Sequence, residues 1–537
     1  MADEQDTRSV PAQGGSTASA KRAPAKKAVV KKAPAKKTVA RKTVAKKAGV
    51  KKAPAKKAPT RKVPAKQVAA TQGRHHPYRT LDDRVNRGLS WRDVAPIEGM
   101  GEFDPSPSRP SALALLSAQD DARVSDLLPI RYGRMSASAF AYYRGAAAVM
   151  AYDLAQQPRT PGGTQICGDA HLSNFGFFGS PERDLLFDVN DFDETLPGPF
   201  EWDVKRLTAS FILAARDRGF KRKVGRAAAV AAAEAYRTSI LTLASAGNLQ
   251  VWYTKVDSSL IEQSMREIVS QSLNKKETKL AETRLSAVFE KARSKTSLRA
   301  AEKLTEVVDG RRRFLNAPPL LSTQDIPTTI RSEIERLFGE YKDTLQNDRR
   351  RLLERYEYLD IALKVVGVGS VGTRAAVLLL QGRDLGDPLV LQVKQAQASV
   401  LEAYLRPSEY DNHGQRVVEG QRYMQSASDI FLGWVRNAEV GRDFYIRQLH
   451  DMKGSLDIAK VLPVGLEAYG RLCGGTLARA HARGGDVVAI ASYLGDDDRF
   501  AQAVTRFAEA YADQSERDYA ELKQAIADGR VAATSGI

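Results

Sequence analysis

The feature that most restricts what this chain can fold into is a pair of short runs, Cys167-Gly168-Asp169-Ala170-His171-Leu172-Ser173-Asn174 and Phe187-Asp188-Val189-Asn190-Asp191-Phe192-Asp193-Glu194. The first sets Asp169 five positions before Asn174, in a turn opened by Gly168. The second carries Asp188, Asp191 and Asp193 on a short apolar strand, Leu185-Leu186-Phe187, and the turn after it. Asp-x-x-x-x-Asn followed by a strand-borne Asp is what metal-dependent phosphoryl transfer requires. One Asp orients or deprotonates the acceptor hydroxyl, the Asn carbonyl holds one Mg²⁺, and a second Asp bridges metal to the nucleotide phosphates. Asp169 is therefore the candidate catalytic residue. Asn174 and Asp191 are candidate metal ligands, with Asp193 as a second ligand and Asp188 in reserve. A solvated strand end with turn-forming carboxylates would carry the same aspartates. His171 reads better as a structural histidine bonded to loop backbone than as a catalytic group.

A second pattern lies further along. Ile361–Val366 reads as a strand, Gly367-Val368-Gly369-Ser370-Val371-Gly372 as a glycine loop, Ala375–Leu380 as a strand, Asp384–Pro388 as a turn and Leu389–Lys394 as a third strand. A dinucleotide-binding glycine loop needs a helix directly after it and an acid about 20 residues on, at a strand end. Here an apolar β-like run follows, and Asp384 and Asp387 fall in a turn. Strand, glycine loop, strand, turn, strand and Lys instead suit a flap folded over ATP phosphates. Gly367, Gly369, Ser370 and Gly372 would cover the phosphates, and Lys394 would reach the α and β groups with a helical Glu to hold it. Glu419 is the first choice for that Glu and Glu402 the alternative. ATP and Mg²⁺ are thus the expected cofactors; a tight hairpin with a surface lysine is the plainer reading of the loop taken alone.

Charge is distributed very unevenly. The chain carries +18, yet residues 21–66 hold 19 Lys and Arg and no Asp or Glu, so the remainder is left at −1. From Lys26-Lys27 to Arg61-Lys62 a basic pair recurs every five residues, a period that fits neither a helix nor a strand face. Such a segment buries too little apolar surface to offset its ordering entropy, so residues 1–73 are expected to be a disordered tail. The segment resembles the Lys/Ala/Pro-rich tails of linker histones and bacterial histone-like proteins. It would attach non-specifically to nucleic-acid phosphates by releasing counterions; a solubilising tail without a partner is the alternative. Cys167 and Cys473 are the only cysteines, which leaves no disulfide framework and no zinc cluster. The N-terminus is acidic and polar, wrong for a secretory signal, and no apolar run approaches the roughly 18 residues of a membrane span. These points lead to the expectation of a soluble cytoplasmic protein with no membrane partner, held near the nucleoid if the tail finds DNA.

Between these landmarks the periodicity predicts a helix over Ser136–Gln156 with Ser136 as N-cap, and another from Trp202 to about Arg218, with Lys205 and Arg206 on its face, a basic residue near the phosphates being the alternative for either. Residues 222–345 read as mostly helical and carry no chemistry that can be named. Strands are expected at Ile430–Val435 and Phe444–Leu449, and the strongest late helix is Leu466–Arg483. The organisation expected is a tail (1–73), a helical lobe with the catalytic loop, metal strand and a helical insertion (74–355), a small β-rich nucleotide lobe (356–455) and C-terminal helices completing the helical lobe (456–537).

With these residues in view, the chain resembles the protein-kinase-like superfamily and its aminoglycoside phosphotransferase-type small-molecule kinases. Cys167–Asn174 is similar to their H-G-D-x-H-x-x-N loop, and Val189-Asn190-Asp191-Phe192-Asp193 to their I-D-F/W-x-D metal strand. Phe200-Glu201-Trp202-Asp203 resembles the Y-D-L segment whose Asp braces the catalytic loop. Leu477-Ala478-Arg479-Ala480-His481-Ala482 resembles the L-A-x-L-H-A helix that precedes the loop in those enzymes. The pattern from Arg131 onward also resembles a bacterial family known as domain of unknown function 2252. The resemblance implies an α+β, two-lobed fold, with a small antiparallel-sheet lobe and a larger helical lobe. It further implies an ATP- and Mg²⁺-dependent phosphotransferase whose acceptor the sequence does not name. Two departures stand out. Cys167 replaces the usual His, which puts the bracing of the loop in question. The order is also reversed, the catalytic loop preceding the glycine loop and Lys394, which requires a circular permutation with helix 466–483 packed beside the loop. The same parts would serve a nucleotide-binding pseudokinase or a nucleotidyl transferase. A nucleoid-associated DNA-binding protein whose tail is the functional part is the alternative from another class.

Overall fold

Small residues bring two helices almost into backbone contact. In the computed structural model, which describes residues 79–263, 275–324, 326, 328–365, 367, 371–449 and 451–536, the helices Arg222–Ala244 and Pro463–Gly484 lie against each other. A Cβ at Gly474 would sit 2.0 Å from the Ala232 carbonyl oxygen, and one at Gly470 would sit 2.5 Å from that of Ala228. Only glycine permits this approach. Around the pair pack the helices Phe200–Asp217, Val487–Leu494 and Arg499–Ala527, joined in one core through Phe200, Tyr236, Leu477, Phe500 and Phe507. Pro463 opens the first turn of its helix, where its missing N–H costs nothing. The basic tail expected over 1–73, and Gly369 and Ser370 of the glycine loop, lie outside the described residues.

Two short antiparallel strand pairs, one nested inside the other along the chain, carry the carboxylate runs. β1 (Gly163–Ile166) and β2 (Phe175–Gly179) flank the Asp169 loop, and β3 (Leu185–Val189) and β4 (Leu196–Pro199) flank the turn holding Asp191 and Asp193. β1 pairs with β4 and β2 with β3, both antiparallel, so the loop and the turn are held side by side.

The second half of the chain builds a sheet. After a separate hairpin of β5 (Thr305–Val308) and β6 (Arg311–Phe314) come β7 (Leu321–Ser322), β8 (Glu357–Lys364), β9 (Ala375–Gln381), β10 (Pro388–Ala396), β11 (Gly433–Asn437) and β12 (Arg442–Gln448). β7 to β12 form one antiparallel sheet in the order β11-β12-β10-β9-β8-β7. The glycine stretch joins β8 to β9 as a hairpin, with no helix after it, and the dinucleotide-binding alternative falls away. Gly367 and Gly372 take φ of 75° and 90°, where a side chain would be strained. Alternation along the strands sends Leu378, Leu380, Leu389, Leu391 and Ile446 to one face, under Tyr341, Leu345 and Leu353. Val377, Leu379 and Val390 face the other way, under Ala300, Ala301 and Phe314. A sheet apolar on both faces needs cover on both, and residues 297–353 supply it. Packing therefore joins that stretch to the sheet, ahead of the boundary expected at 356.

The fold is mixed α+β. The expected helix over 136–156 is two helices, Ala139–Gly145 and Ala147–Ala155, broken at Ala146 (φ −110°, ψ 35°). Ser138 is the N-cap, accepting from Ala141 N, because Ser136 already closes the helix Leu128–Met135. Among the described positions of residues 222–345 helices predominate, joined by turns and interrupted by β5, β6 and β7. No helix among the described residues is long and apolar enough to cross a membrane.

Candidate active site

The Asp169 loop is braced through its backbone. Asp203, 1% exposed on the first turn of the helix Phe200–Asp217, accepts hydrogen bonds from Cys167 N at 2.8 Å and Gly168 N at 2.9 Å. Gly168 takes φ 77°, so the turn that aims both N–H groups at one carboxylate requires glycine. The bracing uses main-chain donors, so a Cys in place of His at 167 leaves it intact. Burial and the Asp203 charge push the Cys167 thiol well above its usual range. His481, on the helix Pro463–Gly484, brings Nε2 to 3.1 Å from Asp203 Oδ2 and Nδ1 to 2.9 Å from the Tyr236 hydroxyl. The segment Leu477–Ala482 thus packs directly behind the loop.

Asp169 faces a cluster of cations. Its Oδ1 accepts from Arg206 Nε at 2.5 Å, and Arg206 also donates to Tyr143 O at 3.0 Å. Arg206, expected on a helix face, is 2% exposed and belongs to the site. Burial raises the Asp169 carboxyl above the usual carboxylate range, opposed by Arg206 and then Arg144. His171 Nε2 stands 3.7 Å from Asp169 Oδ2, and its Nδ1 is buried without a hydrogen-bond partner. Burial, then Arg144 and Arg206, hold this imidazole well below its ordinary value. Asn174 Nδ2 donates to Asp169 O at 2.8 Å, and Asn174 O accepts from Asn190 N at 2.8 Å, which pins the loop to the end of β3.

Of the aspartates after Phe187, Asp191 and Asp193 lie near Lys394 and Asp188 is held elsewhere. Asp188 is fully buried, ion-paired to Arg479 and bonded by Ser426 N at 3.0 Å and Ser426 Oγ at 3.1 Å. The carboxylate held in reserve as a ligand is thereby occupied by partners inside the protein. Asp193 meets Lys394: Nζ lies 2.7 Å from Oδ2, while the Tyr445 hydroxyl donates to Oδ1 at 2.7 Å. Lys394 on β10 and Tyr445 on β12 are cross-strand partners, which is why they arrive together. Burial opposes the charge on both members of the pair. Mutual attraction overrides it, holding Asp193 down to about 2 and Lys394 above its usual value. Asp191 is pushed up by burial and by the like charge of Asp193, against Lys394 and Arg447. The hydrogen bond to its side chain among the described residues comes from Asp193 N at 3.3 Å, which leaves most of its acceptor capacity open.

The expected partner for Lys394 is not the one present. Glu419 pairs with Arg422 at 3.0 Å, on the outer side of the helix His413–Met424. Glu402 caps Ser399, accepting from Ser399 N at 3.0 Å, and lies 3.7 Å from Arg416 Nε. The inward positions of that helix are Arg416 and Gly420, where a Cβ on Gly420 would come within 2.4 Å of Thr195 Cγ2. Arg416 donates to Thr195 O at 2.7 Å, Asp193 O at 2.8 Å and Gln397 O at 2.7 Å, and so clamps the carboxylate turn to the sheet. The shoulders of the glycine loop are held from outside the sheet: Arg134 donates to Gly367 O, Arg123 Nη1 to Val371 O at 2.6 Å and Val124 N to Gly372 O at 2.8 Å.

Arg416, Tyr445, Arg447, Arg123 and Arg134 escaped the sequence reading. For Tyr445 and Arg447 the signal was present: they alternate along one strand opposite Lys394 and Gln392. Among the described residues, no group of three or more His, Cys, Asp or Glu side chains is placed to hold a metal. The donors that are open, Asp191 and the Asn174 side-chain oxygen, are hard oxygens. That is the sparse kind of set Mg²⁺ uses when phosphates and waters complete its shell.

No curated protein and no solved structure matches the chain. A family model does match, over residues 123–525, and the chain belongs to that family, described as an uncharacterized protein conserved in bacteria (DUF2252).

Proposed function

We propose that the chain is an ATP- and Mg²⁺-dependent phosphotransferase with a circularly permuted, protein-kinase-like arrangement of two lobes. The observation that carries this reading is the Lys394–Asp193 ion pair at 2.7 Å, which joins β10 to the turn after β3 across 201 positions, with Asp169 and Asp191 beside it. Three features support it. The sheet runs β8, β9, β10 as a meander, then a helix, then a β11–β12 hairpin returned to β10. A glycine hairpin stands at the head of that meander. The helix Pro463–Gly484 backs the Asp169 loop as it would in an unpermuted chain.

Asp169 takes the role of base. The acceptor hydroxyl gives its proton to Asp169 as its oxygen bonds the γ-phosphorus and the bond from that phosphorus to the β,γ-bridging oxygen breaks, the electron pair leaving with ADP. Arg206 positions Asp169. Lys394 neutralises phosphate charge, and in the absence of nucleotide its ammonium rests on Asp193. Mg²⁺, when bound, offsets charge on the phosphates, and Asp191 with Asn174 would hold it. The basic segment 21–66 would keep this body near nucleic acid in a salt-dependent way.

Transfer of label from ATP marked at the α or the γ position tests the proposal. Release or transfer of γ-label alone, dependent on Mg²⁺ and abolished by Asp169→Asn, is the expected result. Transfer of α-label would indicate a nucleotidyl transferase, and absence of both with intact nucleotide binding would indicate a pseudokinase. Removal of residues 1–73 should leave nucleotide binding unchanged while abolishing retention on DNA.

A further inference from the structure

A cavity of about 1220 Å³ opens beside the Asp169 loop. Ser173 of that loop lines it, as does Tyr469, whose hydroxyl donates to Leu172 O at 2.9 Å. Arg144 lines it too and is close enough to Asp169 and His171 for its charge to act on both. The cavity therefore lies next to the loop that carries the group assigned as base. Its size exceeds the roughly 300–1,000 Å³ of common small-molecule sites.

The lining has an uncommon chemistry. Phe140, Leu285, Val288, Leu456, Val461 and Leu462 make an apolar wall. Six cations face the same space: Arg144, Arg218, Arg284, Lys291, Lys295 and Lys460; the acids lining it are Asp217 and Asp457. Lys460 is paired with Asp457 at 3.1 Å. For the other five, no carboxylate lies within ion-pair distance among the described residues. Arg144 Nε and Arg218 Nε are in addition buried without hydrogen-bond partners. Burial and the neighbouring charges of Lys291 and Lys303 press the Lys295 ammonium below its usual value, the mark of cations gathered without a counter-charge. Buried donors left unpaired are costly unless a ligand pairs them.

We propose that this cavity is the acceptor site and that its occupant is an amphipathic organic anion: an apolar body bearing a carboxylate or phosphate group, with a hydroxyl presented to Asp169. This rests on the phosphotransferase reading above. The apolar wall takes the body, the guanidinium and ammonium groups that lack a carboxylate partner take the anionic head, and a cationic or neutral acceptor leaves those groups without a counter-charge.

Calorimetric titration of the full chain with three matched probes tests this: 12-hydroxydodecanoate, 1,12-dodecanediol and 12-aminododecan-1-ol. MgATP binding is measured on the same preparation. The hydroxy acid should bind at least about tenfold more tightly than the other two, as expected for one charge-assisted contact. The double variant Arg284→Glu/Lys291→Glu, whose altered side chains are exposed, should erase that preference while MgATP binding persists. Equal affinity for the three probes, or a preference that survives charge reversal, overturns the anion assignment even though MgATP still binds. Loss of MgATP binding in the parent chain instead removes the phosphotransferase reading, while an anion preference that Arg284→Glu/Lys291→Glu erases would still place the cavity.

Discussion

Replacing Asp203 by Asn should loosen the Asp169 loop without unfolding the body around it. Asp203 spends each carboxylate oxygen on one main-chain N–H of the loop, at 2.8 Å and 2.9 Å, with His481 at 3.1 Å completing its shell. An Asn of the same shape keeps one acceptor and turns an NH₂ toward the other donor. One charge-assisted bond is lost, the second weakens, and a buried N–H is left unpaired. At about 1.5–3 kcal/mol for a bond to a charged group, the opening of the loop becomes easier by about 2–4 kcal/mol. With a factor of ten for every 1.4 kcal/mol, amide exchange in a peptide spanning 163–175 should speed up by about 30- to 700-fold. Exchange in the helix Arg499–Ala527, which makes no bond to Asp203, should not change. Hydrogen-exchange mass spectrometry reads both. A change below about threefold at 163–175, or equal acceleration in both segments, would refute the claim that this carboxylate is what sets the loop.

Further outcomes follow from the same geometry. Asp191→Asn should raise the denaturation midpoint of the ligand-free protein at neutral pH, because burial and Asp193 disfavour the Asp191 charge, and should remove stabilisation by MgATP. A lower midpoint would contradict the repulsion. Asp193 is held at about 2, below the roughly 4 of an unfolded Asp, so its contribution is present above about pH 4 and is lost as pH falls toward 2. Acid titration of stability should show that loss, and Lys394→Met should flatten it. Gly474→Ala should destabilise the chain by about 1–3 kcal/mol or more through overpacking against Ala232, whereas Gly475→Ala, with only Ser239 Oγ at 3.4 Å, should be neutral or mildly stabilising. Chemical denaturation distinguishes the two.

How much of this was legible in the sequence depended on whether the deciding interaction was local. The glycine stretch between two apolar β-like runs declared a hairpin, since no helical period followed it. The Asp169 loop and the turn at Asp191 and Asp193 declared themselves through spacing, and the Asp203 brace through its place in the pattern. Pairings made across the sequence were hidden. Glu419 occupies the analogous position for Lys394, but the inward face of its helix is set by Arg416 and Gly420, and Glu419 is turned about 100° from Gly420 around the axis. Asp188 stood in reserve behind Asp191 and Asp193, and nothing local announced the arrival of Arg479 from a distant helix, which pairs its charge. Residues 222–345 read as mostly helical, with nothing to mark part of them as cover for a sheet, because such cover has no signature apart from apolar periodicity. The break at Ala146 lies in a run of alanines and tyrosines that helical periodicity passes straight through.

The most direct test of the central claim is the affinity of the full chain for MgATP, measured by thermal shift beside Lys394→Ala and Asp191→Ala. At a nucleotide concentration about 100-fold over Kd, binding adds about 2.7 kcal/mol to the parent, and both variants should lose it. A parent chain that MgATP does not stabilise, or variants stabilised as much as the parent, would contradict the account.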